Sequence, residues 1–192
     1  MKGSREVFGR EGYQRASIDA IAAQAQVSTR TIYKHFTDKA ALFAAVVADS
    51  AAQMAQEETT LIAHHLHEVR RADQVEPALR ALAADWVNTS APSASHAALI
   101  ARVGAEAAHL ESDVVAAWWQ AGPGHVLTAL ADMLRRFGQD GLLQIPDAER
   151  SAVQFSQLVA ARPGPSTAPF PAGERAAWIA DGVRVFVRGH RP

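Results

Sequence analysis

The sequence predicts an all-α chain of about nine helices, with an N-terminal helix-turn-helix head followed by a longer helical domain. Three observations carry that prediction. Alanine is abundant and β-branched runs are short. Apolar residues recur three and four apart, the spacing that gathers them on one face of a helix. No segment alternates apolar and polar residues as a half-buried strand would, and no internal repeat is visible. At 192 residues and 48% apolar composition, the chain can bury a sizeable core.

Residues 2–11 form the first expected helix, with Val7 and Phe8 on one face and Gly12 as its terminating glycine. Ser17 is the expected N-cap of a short helix from Ile18 to Ala25, and Ser28 that of a second from Thr29 to Phe36. Gln26-Val27 is the tight turn between them. Ile18, Ile21, Ala22 and Val27 are expected to pack against Ile32, Phe36 and Phe8. Asp38 caps a long helix carrying Leu42, Phe43, Val46, Val47, Met54, Leu61, Ile62 and Leu66 along one stripe. Asp73-x-x-Glu76 reads as a capping-box-like start, with Pro77 in the first turn. Further helices are expected from Pro92, from Ser112-Asp113, after Gly122-Pro123-Gly124, and from Pro146-Asp147. Arg162–Gly173 is a proline-rich loop, and a last helix spans about 174–189.

Composition excludes several functions. With no cysteine there is no disulfide, thiolate metal site or cysteine nucleophile, and a reducing cytoplasm suits the chain. No apolar segment follows Met1–Arg5, so no secretory signal is expected, and no stretch is long enough to span a membrane. There is no phosphate loop, nucleophile elbow or paired metal motif, so the chain is not expected to be an enzyme and needs no cofactor. His64-His65-x-His67-Glu68 resembles a metal cluster at first sight. No second helix offers a further ligand, so it reads as a solvated helix end with no metal.

The net charge of −1 is unevenly distributed. Residues 1–39 carry seven Lys/Arg against four acids, a net of +3 that includes all three lysines, which leaves the remainder at −4. A basic end on a mildly acidic body suits a polyanion. The second short helix presents Thr29, Arg30, Thr31, Tyr33, Lys34 and His35 outward, groups that serve base edges and phosphates.

Gly12-Tyr13, Ser17-Ile18-x-x-Ile21-Ala22 and Val27-Ser28-x-x-Thr31-Ile32-Tyr33-x-x-Phe36-x-x-Lys39-x-x-Leu42 resemble the DNA-binding head of the tetracycline-repressor (TetR) family. The likeness covers about residues 3–48. It implies a DNA-binding domain over 1–46 and a ligand-binding and dimerisation domain over 47–192. It implies that Thr29, Arg30 and Lys34 face base edges, with His35 beside them. Ser17, Thr31, Tyr33 and Lys39 would hold the phosphate backbone, and Ile21, Val27, Ile32 and Phe36 would be core. Family members usually begin the first helix about two turns earlier, so the expectation is either a start that lies upstream of Met1 or a head with a shortened first helix.

The remaining expectations concern residues beyond the head. Trp86, Trp118, Trp119 and Phe137, with His96, Arg102 and His109 among them, are candidates to line a cavity for a small hydrophobic or aromatic effector. Apolar stripes on the last two helices, Phe155, Leu158 and Val159 on one and Ile179, Val183 and Phe186 on the other, are candidates for a homodimer interface. Together these readings imply a cytoplasmic, ligand-responsive repressor, bound as a dimer to a pseudo-palindromic double-stranded operator and released by its effector. The alternative is a dimeric interaction protein that keeps the head fold but binds DNA weakly or not at all.

Overall fold

The computed structural model describes residues 1–89, 98–99, 103, 112–160 and 173–192. Among these it holds nine helices and no strand. They are α1 (Lys2–Arg15), α2 (Ile18–Ala25), α3 (Thr29–His35), α4 (Lys39–Leu66), α5 (Ala72–Thr89), α6 (Ser112–Ala121), α7 (Pro123–Gln139), α8 (Ala148–Ala160) and α9 (Glu174–Gly189).

Short polar side chains start these helices where local chemistry requires it. The first four N–H groups of a helix have no partner within it, and a serine or aspartate oxygen supplies one. Ser17 Oγ accepts from Ala20 N–H at 3.1 Å and Ser28 Oγ from Thr31 N–H at 3.1 Å. Asp38 accepts from Ala41 N–H at 2.8 Å and Asp147 from Arg150 N–H at 2.9 Å. The α5 start differs from the expected one. Asp73 faces Arg71 (3.0 and 2.7 Å), and it is the Gln74 side chain that accepts from Arg70 and Arg71 N–H. The reaching-back half of a capping box is therefore present, with Gln74 rather than Glu76 in that role. Gly12 breaks α1 as expected. Its φ of +76° lies where only glycine is unstrained, and the chain turns there while Ala16 N–H still reaches Gly12 O at 3.2 Å.

The described residues fall into two compact units, one drawn from Met1–Gln56 and Ala91–His125, the other from Glu57–Ser90 and Val126–Pro192. Residues of α4 belong to both. In the first unit Val7, Phe8, Ile21, Ala22, Ile32, Leu42, Phe43, Val46 and Val47 form one apolar cluster, joined by Val114 and flanked by Trp118. Phe8 and Phe43 meet edge to face at 4.9 Å. Arg5 holds α1 to α4 through Asp49 and Gln53, both at 3.0 Å, and Gln24 donates to Glu6 at 2.6 Å between α2 and α1. Val27 does not join this core and is 42% exposed. The reason lies in the residue before it, described below.

In the second unit α7 buries Val126, Leu130, Ala131, Leu134 and Phe137, three to four residues apart along one face. Arg136 then closes the far end of α4, its guanidinium donating to Leu66 O and His67 O, each at 2.6 Å. Cations at a helix C-terminus satisfy its last carbonyls and oppose its dipole. On α8 and α9, Phe155 and Phe186 meet edge to face at 5.2 Å, and Trp86 of α5 stacks on Phe155 at 6.5 Å. His190 Nδ1 donates to Phe186 O (2.8 Å), which leaves Nε2 to accept from Ser151 (3.2 Å) and ties the last turn to α8.

The crossing of α8 and α9 is set by backbone. A Cβ on Gly182 would lie 2.6 Å from Leu158 O, a separation that real Cβ atoms do not show. Gly182→Ala must push the helices apart, and overpacking of this kind costs about 1–3 kcal/mol. Thermal unfolding of that variant should show the loss. An unchanged melt would mean that the two helices do not need this approach.

Candidate nucleic-acid interface

The helix-turn-helix is built from α2, a tight turn through Gln26, Val27 and Ser28, and α3. At the end of α2, Gln26 N–H bonds to Ala23 O (3.2 Å) and Val27 N–H to Ala22 O (3.0 Å), the paired bonds of a Schellman motif. Gln26 takes the left-handed conformation this motif needs, with φ +56°. That reversal swings the next residue, Val27, away from the core. Ser28 then caps α3, and its hydroxyl also lies 2.8 Å from Thr31 Oγ1.

Only Ile32 of α3 is buried, with Phe36 half-buried beyond its end. Arg30, Thr31, Tyr33, Lys34 and His35 are exposed, Tyr33 at 55% despite its aromatic ring, and Thr29 is half-buried. Ser28, Arg30, Thr31, Tyr33 and Lys34 border one open concavity of about 580 Å³. The helix carries no acid, and among the described residues neither Arg30 nor Lys34 has an ion-pair partner. A guanidinium and an ammonium left uncommitted on one helix face are suited to base edges and phosphates. Ser17 is exposed at the start of α2; its oxygen serves the cap, and its hydroxyl proton remains a donor. Lys39 is placed differently. Its ammonium donates to Ala16 O (3.1 Å) and Gln14 O (3.3 Å) and stands 4.8 Å above the Tyr13 ring.

Residues 1–46 match the family described as bacterial regulatory proteins, tetR family, and residues 77–191 match the AefR-like transcriptional repressor C-terminal domain. The chain belongs to the TetR family. It has the fold of a DNA-binding transcriptional regulator, and TetR-family regulators are not enzymes. Similar solved structures include a TetR-family regulator from Mesorhizobium loti, with 22% identity and TM-score 0.79 over 100% of this chain and 94% of that one. The flavonoid-responsive regulator FrrA shares 22% identity at TM-score 0.73, over 100% and 94% of the two chains. NemR of E. coli, in its reduced form, shares 15% at TM-score 0.68, over 97% and 94%. No curated protein matches this chain.

TetR-family regulators act as dimers with small-molecule effectors, and the residues expected for those roles fall out as follows. Trp118 and Trp119 stand in the first unit, Trp86 and Phe137 in the second. Phe137 is fully enclosed, Trp86 is half-buried and stacks on Phe155, and Trp119 is 49% exposed. His96, Arg102 and His109 lie outside the described residues. On the last helices Phe155, Val159, Ile179, Val183 and Phe186 are buried within the single chain, and Leu158 is half-buried. The expected interface stripe is thus mostly internal packing. α8 and α9 leave uncovered Val153 (45% exposed), Trp178 (36%) and Val185 (59%), around an open groove of about 770 Å³ that Leu158 and Phe186 of the expected set and His190 also border. Sequence reasoning missed Trp178 and Val185. Each lies off the stripe that periodicity selects, and an apolar residue on the outer face of a helix is the signal that could have found them.

The histidine run also resolves. His65 meets Asp85 at 2.8 Å, between α4 and α5, while His67 and Glu68 are exposed. Among the described residues no three metal-ligating side chains gather, and no helix is long and apolar enough to cross a membrane.

Proposed function

We propose that this chain is a ligand-responsive repressor that grips a pseudo-palindromic operator as a homodimer and leaves it when a small hydrophobic or aromatic effector binds the C-terminal domain. The observation that supports this most is the exposed face of α3, with its uncommitted Arg30 and Lys34. In this reading Thr29, Arg30 and Lys34, with His35 beside them, read bases in the major groove, and Ser17, Thr31 and Tyr33 hold phosphates. Arg30 is the guanine reader, because its planar fork matches O6 and N7. Two-fold pairing follows from the operator, since two half-sites require two heads. The uncovered row on α8 and α9 supplies the self-complementary face. The α4 helix begins directly after the recognition helix and continues into the second unit, so an effector that favours one setting of α4 shifts the spacing of the heads. The chain works in the cytoplasm, where the DNA is. FrrA, a protein of the same fold, is described as flavonoid-responsive, which is in keeping with an aromatic effector.

The test is a gel-shift on the promoter of the protein's own gene. Arg30→Ala should weaken operator binding by about 1–3 kcal/mol and relax the preference at one base pair of each half-site. An unchanged sequence preference would remove Arg30 from the role of reader. Binding by the native chain should also fall steeply with salt, because each phosphate contact releases counterions. Binding that ignores salt would favour the interaction-protein reading instead.

A further inference from the structure

We propose that Lys39 is not a phosphate contact but an internal clamp that positions the DNA-facing corner of the head. Three observations point the same way. The ammonium donates to two carbonyls, Ala16 O and Gln14 O, which are among the last of α1 and lack helical partners of their own. The Tyr13 ring covers another side of the same ammonium at 4.8 Å, within cation–π range. Lys39 is also half-buried, whereas Lys2 and Lys34 are exposed. An ammonium has three donors and no acceptor, so a group engaged in this way has little left to offer a phosphate.

The clamp has a definite place in the chain. Lys39 is the first residue of α4, one step after the Asp38 cap. Ala16 directly precedes Ser17, the cap of α2 and a residue of the proposed interface. One side chain therefore pins the α1–α2 corner to the α3–α4 corner and fixes where Ser17 and the start of α2 stand relative to α3. Lys39 is thus a positioning residue, and the inference rests on the DNA-binding reading only for the role of Ser17.

The protein has three lysines, all in the head, so amine chemistry reads the question directly. The unmodified protein is pulse-labelled by reductive methylation, alone and with a mixed-sequence DNA duplex at low salt, and each lysine is quantified by mass spectrometry. Lys39 should label several-fold more slowly than Lys2 in the free protein, with DNA adding little. Lys34 should label fast and be protected by DNA. If Lys39 labels as fast as Lys2 in the free protein, the clamp is overturned. If instead DNA fails to protect Lys34, the DNA-binding reading fails while the free-protein result still decides the clamp. Lys39→Met gives a second readout. The clamp predicts a lower melting temperature and an unchanged slope of log affinity against log salt. Loss of one phosphate contact from each head of a dimer would flatten that slope by about 1.8, and this outcome also overturns the clamp.

Discussion

Val185→Asp should convert the protein to a monomer and lower operator affinity by about 10²–10⁴-fold, the loss expected when two linked heads become two separate ones. Val185 is 59% exposed, so a carboxylate there would disturb little internal packing. Exposed positions of this kind change the stability of a single chain by about 0.5 kcal/mol or less. In a two-fold dimer, however, each substitution enters an isologous surface, placing charge on both sides of an apolar contact with Trp178 and Val153. Light scattering after gel filtration reports the mass, and a gel-shift reports the affinity. A variant that stays dimeric and binds normally would take the row on α8 and α9 out of the interface. A variant that becomes monomeric but keeps full affinity would break the proposed link between pairing and operator binding.

The second large effect is expected inside the head. Phe8→Ala removes a ring with no exposed surface from the centre of the first unit's core. Deleting a buried phenylalanine costs about 3–5 kcal/mol through lost burial and the cavity left behind. Part of that is the edge-to-face contact with Phe43, since aromatic pairs of this geometry contribute about 0.5–1.5 kcal/mol beyond their area. Against a total stability of about 5–15 kcal/mol, this is a large fraction. Denaturant unfolding should show a lower midpoint, and DNA binding should weaken because α1, α2 and α4 share the apolar cluster that holds that ring. A loss below about 1 kcal/mol would mean the cavity collapses, as it does only at compliant sites.

Local chemistry was the most legible layer of this sequence. Ser17, Ser28, Asp38 and Asp147 each cap the helix that follows, because a cap needs only a short polar side chain and the next three residues. Gly12 was legible for the same reason, as only glycine accepts that φ without strain. The first miss came one step further out. Asp73 and Gln74 both lie in the first turn of α5, and which of them reaches the free N–H groups depends on Arg71 drawing Asp73 aside. Val27 was misjudged because its direction is set by the left-handed turn at Gln26, and no glycine or asparagine marked that turn.

Among the candidate site residues, the exposed face of α3 was readable. An amphipathic α3 with Ile32 inward leaves Arg30, Tyr33 and Lys34 outward by periodicity alone. The apolar row that α8 and α9 leave uncovered was not. Both helices carry apolar groups on two faces, and periodicity ranks the stripes by size without saying which one the rest of the chain covers. Phe155 and Phe186 turned inward because α5 and the opposing helix take that face. The position of Lys39 depends on residues 23 and 25 positions away, a separation that no local pattern encodes.

The four indoles have an experimental consequence. Two of them stand in each unit, Trp118 and Trp119 in the first, Trp86 and Trp178 in the second. Trp119 and Trp178 meet solvent, while Trp118 and Trp86 are half-buried. Intrinsic fluorescence of the unlabelled protein therefore draws on both units, each with one exposed and one half-buried indole, and single Trp→Phe replacements would assign each contribution. Trp178 lies on the groove proposed to meet a second copy, so its emission wavelength would report dilution of the protein, while the other three would provide the baseline.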